Sequence, residues 1–236
     1  MHDKYAEENK KFYNNEIEIN SKATRKNKYA SSYRKINKYI NLIKVDSILD
    51  IGCGTGNFSL IVPSEKKYLG IDISNLAINE ANRNKKGLHH FINGDFLDMH
   101  FNETFDLIIC ITSIDQFYSR VEALSKIRSL LSKNGKVYIE FRSSSYFLYK
   151  IIDIVPIFKR LLRLPPPVSG LEDWSYTQWV DSFTDADFVI NKKVTSIRPI
   201  CPDSFGCFLK GLAALFISVT LPHRYHYMPG FILSKR

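Results

Sequence analysis

Three glycines spaced by two, Gly52, Gly54 and Gly56, follow Asp50 at the end of an apolar run through Ile48 and Leu49. Glycine lets a backbone take positive φ and come close to a ligand, and a helix start beyond such a turn offers unpaired N–H groups. The chain becomes apolar again at Phe58, Leu60 and Ile61, so the stretch reads as strand, glycine turn, helix, with a polar ligand over the turn. Two more acidic positions suit a nucleoside. Asp72 closes the apolar run Lys67–Ile71, where a carboxylate can accept both hydroxyls of a ribose. Asp95, in Gly94-Asp95-Phe96, can accept from the exocyclic amine of adenine, with Phe96 as a stacking or edge contact.

The spacing narrows the ligand. A dinucleotide fingerprint needs a glycine where Asn57 stands, and no Gly-Lys-Ser/Thr follows to make a phosphate loop. The four cysteines, Cys53, Cys110, Cys201 and Cys207, form no Cys-x-x-Cys pair, and no histidine has metal-ligand spacing with a second ligand. Neither a metal site nor a disulfide framework is expected. A reducing compartment fits, and the amino terminus MHDKYAEENKK lacks the apolar core of a secretion signal, which points to the cytoplasm.

These residues need elements to position them, and the hydrophobic periodicity supplies a consistent set. Tyr29, Tyr33, Ile36, Tyr39, Ile40 and Ile43 recur at helical steps, and a shorter helix is expected over Ala6 to Asn14, so residues 1–44 read as a helical cap. From Ser47 the pattern alternates. Strands are expected at Lys67–Ile71, His89–Asn93, Phe105–Ile111 and Lys136–Phe141, with helices headed by Ser74 and ended by Gly87, and around Val121–Leu131. Strands separated by helices imply right-handed crossovers and a parallel sheet whose carboxyl ends carry the ligand.

The order of these features resembles the class I S-adenosylmethionine-dependent methyltransferases, and among them the small-molecule and quinone-type enzymes. The likeness runs over residues 45–141 and into 174–197, where WSYTQWVDSFTDADFVINKKVTSI looks like the family's last crossover helix and sixth strand. It implies an α/β, Rossmann-like doubly wound sheet of seven strands with helices on both faces. The sheet would be mostly parallel, with Gly230–Lys235 as an antiparallel last strand. It further implies that Gly52, Gly54 and Gly56 border the methionine part of S-adenosyl-L-methionine, with Asp50 behind them. Asp72 would hold the ribose, Ile73 would pack on adenine, and Asp95 with Phe96 would meet the adenine edge. Two departures stand out: Gln116 occupies a position where many quinone-type relatives have histidine, and Asp187-Phe188 replaces a Gly-Phe pair.

The methyltransferase domain is expected over residues 45–236, with insertions at about 142–173 and 198–229, both leaving from the carboxyl edge of the sheet. They are apolar with basic flanks, as in YFLYKIIDIVPIFKRLLRLPPP and GCFLKGLAALFISVTLP, and suit a pocket for a small or lipid-like acceptor, with peripheral contact at a membrane surface as a second use. Charge is uneven. Residues 1–44 hold 11 Lys/Arg against 5 Asp/Glu and residues 189–236 hold 7 against 1, within a net +9. Basic ends raise an RNA-directed enzyme as an alternative. Against nucleic acid, the fourth strand leads into Ile111-Thr112-Ser113-Ile114 rather than the Asn/Asp-Pro-Pro-aromatic quartet of base-amine methylation, and Cys110 has no preceding proline. A protein that binds the cofactor without transfer is the remaining alternative. No general base is assigned; Asp115, Gln116, His100, His223 and His226 are candidates by position only, whereas His89 and His90 open a strand away from the site.

Overall fold

A computed structural model of the chain describes residues 7–8, 10–11, 13–14, 30–141, 174–195 and 229–236. Residues 7, 8, 10, 11, 13 and 14 are helical. Helix α1 spans Ala30–Tyr39, and strands β1 Ser47–Ile51 and β2 Lys67–Asp72 flank the glycine turn. Helix α2 Asn75–Arg83, β3 His89–Asn93, β4 Phe105–Ile111, α3 Arg120–Leu130 and β5 Leu131–Glu140 follow. Helix α4 Tyr176–Asp185, β6 Phe188–Thr195 and β7 Pro229–Lys235 complete the described part.

The seven strands run in the order β3-β2-β1-β4-β5-β7-β6. Pairs β1–β2, β1–β4, β2–β3 and β4–β5 are parallel, while β7 is antiparallel to both β5 and β6. This is the expected Rossmann-like sheet. Its order reverses between β1 and β4, so the crevice beyond their carboxyl ends is the place for a ligand.

Side chains alternate along each strand, and two cores result. Leu49, Ile51, Ile108, Cys110 and Ile139 face α3 and α4, meeting Leu124, Ile127, Trp179 and Phe183. Ile48, Tyr68, Ile109 and Tyr138 face the other way, against Ile36 of α1, Ile40 just beyond its end, Phe58, and Ile78 and Ala81 of α2. Both faces are therefore covered, which explains the near-continuous apolar strands.

Several expectations are corrected. The segment after the glycines is a single 3-10 turn, Asn57–Ile61, because Pro63 holds Val62 extended and β2 begins at Lys67, leaving no room for an α-helix. Helix α2 ends at Arg83 with Asn84 as its cap, so Gly87 does not end it. Gly87 instead lies in a turn where an added Cβ would come 2.1 Å from the Ser64 carbonyl oxygen. Ile43 is exposed and Leu42 takes its place in the core, because α1 stops at Tyr39 and the period breaks there. The insertions lie outside the described residues, apart from Pro229 at the end of the second. Among the described residues no helix is long and apolar enough to cross a membrane.

The Asp187-Phe188 turn shows how an acidic residue replaces glycine. Asp187 has φ 59°, and its carboxylate pairs with Arg128 of α3 while its carbonyl accepts from Arg236 N at 3.2 Å. Aspartate tolerates this conformation better than alanine, and the pairing holds it there. Asp187→Ala should therefore cost about 1–2 kcal/mol, because strain stays and the pair goes. Asp187→Gly should cost less. Thermal melts decide it, and equal losses in the two variants would show that left-handed strain is not what Arg128 offsets.

Candidate functional site

The glycine turn is tied to the end of β2 by the Ile71 carbonyl, which accepts from Gly52 N at 2.8 Å and Cys53 N at 2.9 Å, and by the Asp72 carboxylate. Asp72 Oδ2 accepts from Gly54 N at 2.8 Å and Oδ1 accepts from Ser74 N at 2.9 Å, so the end of β2 ties the turn to the start of α2. Ser74 caps α2 itself, its hydroxyl accepting from Ala77 N at 3.1 Å, which leaves Asp72 free of that duty. Each carboxylate oxygen retains a lone pair for a further donor such as a ribose hydroxyl. Burial raises the Asp72 pKa above the ordinary carboxylate range, opposed by the two amide donors.

The three glycines are not equivalent. All have positive φ, yet a Cβ on Gly52 would lie 2.5 Å from Ser113 Cβ and one on Gly56 would lie 2.8 Å from the Phe91 ring. Those two are dictated by close packing. Gly54, at φ +54°, has nothing within 4 Å of where its Cβ would be. It is the glycine that opens toward a ligand, and it is the one whose amide Asp72 holds.

Asp50 lies behind the turn, as expected, and is buried, with its carboxylate accepting from the Tyr68 hydroxyl. Burial pushes its pKa up to about 7; the Tyr68 hydrogen bond opposes this, and the Asp72 charge adds to it. The same burial raises the Cys53 thiol and the Tyr68 phenol, so both remain protonated near neutral pH. Ile73 is half-buried beside Asp72, and the carbonyls of both residues accept from Asn93 Nδ2 at 2.9 Å, a clamp from the end of β3.

Asp95 sits in the loop after β3, and its Oδ1 accepts from Leu97 N at 2.9 Å. Phe96 departs from the expectation of a stacking surface. Its ring is 2% exposed and packs with Phe101 and Phe117 at centroid distances of 5.9 and 5.7 Å. The ring anchors the loop rather than facing outward.

At the end of β4, Thr112 has φ 55°, which is costly for a β-branched residue, and its amide donates to the Glu140 carbonyl at 2.7 Å. Ser113 donates to the Ile51 carbonyl at 2.6 Å and so closes β4 onto the floor of the turn. Asp115 and Gln116 are joined to each other, the Gln116 amide donating to Asp115 Oδ2 at 2.9 Å, while Arg120 donates to the Asp115 carbonyl at 3.1 Å beneath Trp174. His100 is exposed in the loop after β3, His89 is buried against Pro63 and Tyr68, and His223 and His226 lie outside the described residues.

Residues that the sequence did not single out complete the surroundings. Glu140, at the carboxyl end of β5, is fully buried and accepts from Ser32 of α1 at 2.9 Å and from Tyr138 at 2.7 Å. Asn14, from the amino-terminal helical segment, accepts from the Ser74 hydroxyl at 2.6 Å and donates to Asn75 at 3.1 Å. Amino-terminal residues thus reach both β5 and the start of α2, two elements that border the crevice. Only strand-end position could have flagged Glu140 in the sequence; nothing there marked Asn14.

Comparison with known proteins gives a consistent picture. Residues 44–153 match the profile of a family described as a methyltransferase domain. An uncharacterised protein of Methanocaldococcus jannaschii is 32% identical over 183 residues, 70% of this chain and 49% of its own length, so the chain spans about half of that relative. A putative S-adenosylmethionine-dependent methyltransferase from Listeria monocytogenes superposes with TM-score 0.62 at 15% identity, covering 89% of this chain and 98% of that one. Magnesium protoporphyrin IX methyltransferase from Synechocystis PCC 6803 with bound S-adenosylhomocysteine (SAH) gives 0.59 at 15% identity over 88% and 81%. The plantazolicin methyltransferase BpumL, in complex with an analog and SAH, gives 0.60 at 20% identity over 94% and 90%. At such identities these structures establish the fold.

The Asp50 environment makes a prediction about pH. A carboxyl protonated in the fold and ionised in the open chain stabilises fully below the unfolded value, and that contribution is lost as pH rises to about 7. Asp50→Asn mimics the protonated form and still accepts from Tyr68. Relative to this variant, the native protein should lose stability as pH rises from 4 to 7 and then level off. A constant difference in melting temperature across that range would show that Asp50 is ionised in the fold throughout.

Proposed function

We propose that this protein is a class I S-adenosylmethionine-dependent methyltransferase that transfers a methyl group to a small or lipid-like acceptor by in-line displacement, a reading supported by the match of residues 44–153 to a family described as a methyltransferase domain. The observation that carries the reading is the open Gly54 held at the Asp72 carboxylate, a cradle that a Cβ would obstruct and that has acceptors on hand for a diol. The residues present fit the cofactor the family uses. Gly52, Gly54 and Gly56 would border its methionine part, Asp72 would take the ribose hydroxyls, Ile73 would pack on adenine, and Asp95 would read the adenine edge. When bound, S-adenosyl-L-methionine supplies an activated methyl group on sulfur.

The chain's own contribution is alignment and charge. Holding reactants in attack geometry is worth roughly 7–11 kcal/mol of barrier, and the hydrogen bonds of Asp72 to Gly54, Ser113 to Ile51 and Asn93 to Asp72 hold the turn and the strand ends beside it in place. Asp50 and Asp72 lie near the carboxyl ends of their strands, and burial raises the pKa of both, so what they offer a ligand is hydrogen bonding together with a negative charge that grows as pH rises. Asp115 and Gln116, tied to each other and to Arg120 at the end of β4, are candidates by position for orienting the acceptor. The acceptor class rests on the apolar, basic-flanked sequences of the two insertions. Two of the similar folds are named for magnesium protoporphyrin IX and plantazolicin, acceptors outside the nucleic acids.

The test is calorimetry with SAH on the native protein and on Asp72→Ala, followed by transfer of labelled methyl to lipid and metabolite extracts. Loss of charge-assisted hydrogen bonds should weaken SAH about tenfold to a hundredfold in the variant without unfolding it. Label should enter the lipid or small-molecule fraction. Unchanged affinity would remove Asp72 from the ribose site, and label only in nucleic acid would overturn the acceptor class.

A further inference from the structure

The loop between β3 and β4, residues 94–104, contains neither helix nor strand, yet it carries Asp95. Its fastening comes from outside it. Lys126, on α3, donates through its ammonium to the Leu97 carbonyl at 2.7 Å and to the Met99 carbonyl at 2.5 Å. The same ammonium lies 5.1 Å from the centre of the Phe96 ring and 5.6 Å from that of Phe101. Loop carbonyls and ring faces, the two kinds of group that attract an ammonium, converge on it.

The link to Asp95 is direct. Leu97, whose carbonyl Lys126 holds, donates its own amide to Asp95 Oδ1, so the position of that carboxylate follows from where Leu97 is held. Burial lowers the pKa of the ammonium, opposed by the carboxylates of Asp98 and Asp95 from the loop and Glu122 from α3. Helix α3 is a firm base for such a fastening, because Ala123, Leu124 and Ile127 are fully buried in the core beneath it.

We propose that Lys126 is a positioning residue for base recognition: by pinning the loop after β3 to α3 it fixes where Asp95 presents its carboxylate to the amino group of adenine. This rests on the nucleoside reading of the crevice given above. Lys126 acts through Leu97 and Asp95 and itself touches no ligand. A brace needed for stability alone would change melting without changing which base is preferred, and this separates the two roles.

The experiment measures, by calorimetry, binding of SAH and of its inosine counterpart, which carries a carbonyl oxygen where adenine has its amine. The native protein should prefer SAH by tenfold or more. Lys126→Met should bind SAH about tenfold more weakly, leave the inosine ligand nearly unchanged and so lose the preference. Lys126→Arg, whose guanidinium can also meet two carbonyls, should recover part of it. If Lys126→Met does not fold, Lys126→Gln, which keeps one donor group, is measured by the same criteria. A variant that keeps the native preference overturns the role of Lys126 while leaving the nucleoside reading intact. A native protein that binds both ligands equally overturns the reading of Asp95 itself, and one that binds neither overturns the nucleoside site.

Discussion

The hydrogen bond from the Gly54 amide to the Asp72 carboxylate is the constraint on which the rest of the crevice depends. It joins the middle of the turn to the end of β2, beside the Ile71 carbonyl that accepts from Gly52 N and Cys53 N, and through Ser74 the same carboxylate sets the first turn of α2. Neighbouring groups then hold Asp72 and the turn in place: Asn93 grips its carbonyl from β3, and Ser113 grips the end of β1 from β4. Three strand ends and one helix start therefore have a fixed relation. Groups held in one arrangement lower the ordering cost of binding, which is the condition for binding energy to be spent on alignment.

Acidity on one face of the sheet is the second organising feature. Asp50, Asp72 and Glu140 are all removed from bulk water to differing degrees near the carboxyl ends of their strands, where ionised carboxylates are costly without partners. Each has named donors. Tyr68 serves Asp50, two backbone amides serve Asp72, and Ser32 with Tyr138 serve Glu140. The Ser32 contact and the Asn14 contact with Ser74 bring amino-terminal residues to opposite sides of this face. The helical start of the chain is thereby built into the crevice's surroundings, an arrangement suited to the cap expected from residues 1–44.

Much of this was legible in the sequence because it is written in local signals. Strands β3 and β4 fall on apolar runs bounded by turn residues, and Ser74 is a local cap; each depends on neighbours a few residues away. The absent helix after Gly56 depended on a length that the apolar pattern at Phe58, Leu60 and Ile61 does not reveal. Partners brought together by the sheet were not legible. Tyr68 meets Asp50 because β1 and β2 align Ile48 with Tyr68, and Lys126 meets Leu97 because α3 returns over the sheet. The direction of the Phe96 ring likewise depends on Phe101 and Phe117, which only the fold places beside it.

The central claim is that the Asp72-held glycine turn is the seat of a nucleoside thioether. A crystal structure of the protein with SAH tests it most directly. The expected result is ribose hydroxyls on the Asp72 carboxylate, the amino-acid end of the ligand along Gly52 to Gly56, and the turn in the conformation described above. A ligand bound elsewhere, or a turn that must give up the Gly54–Asp72 hydrogen bond to admit it, would contradict the account.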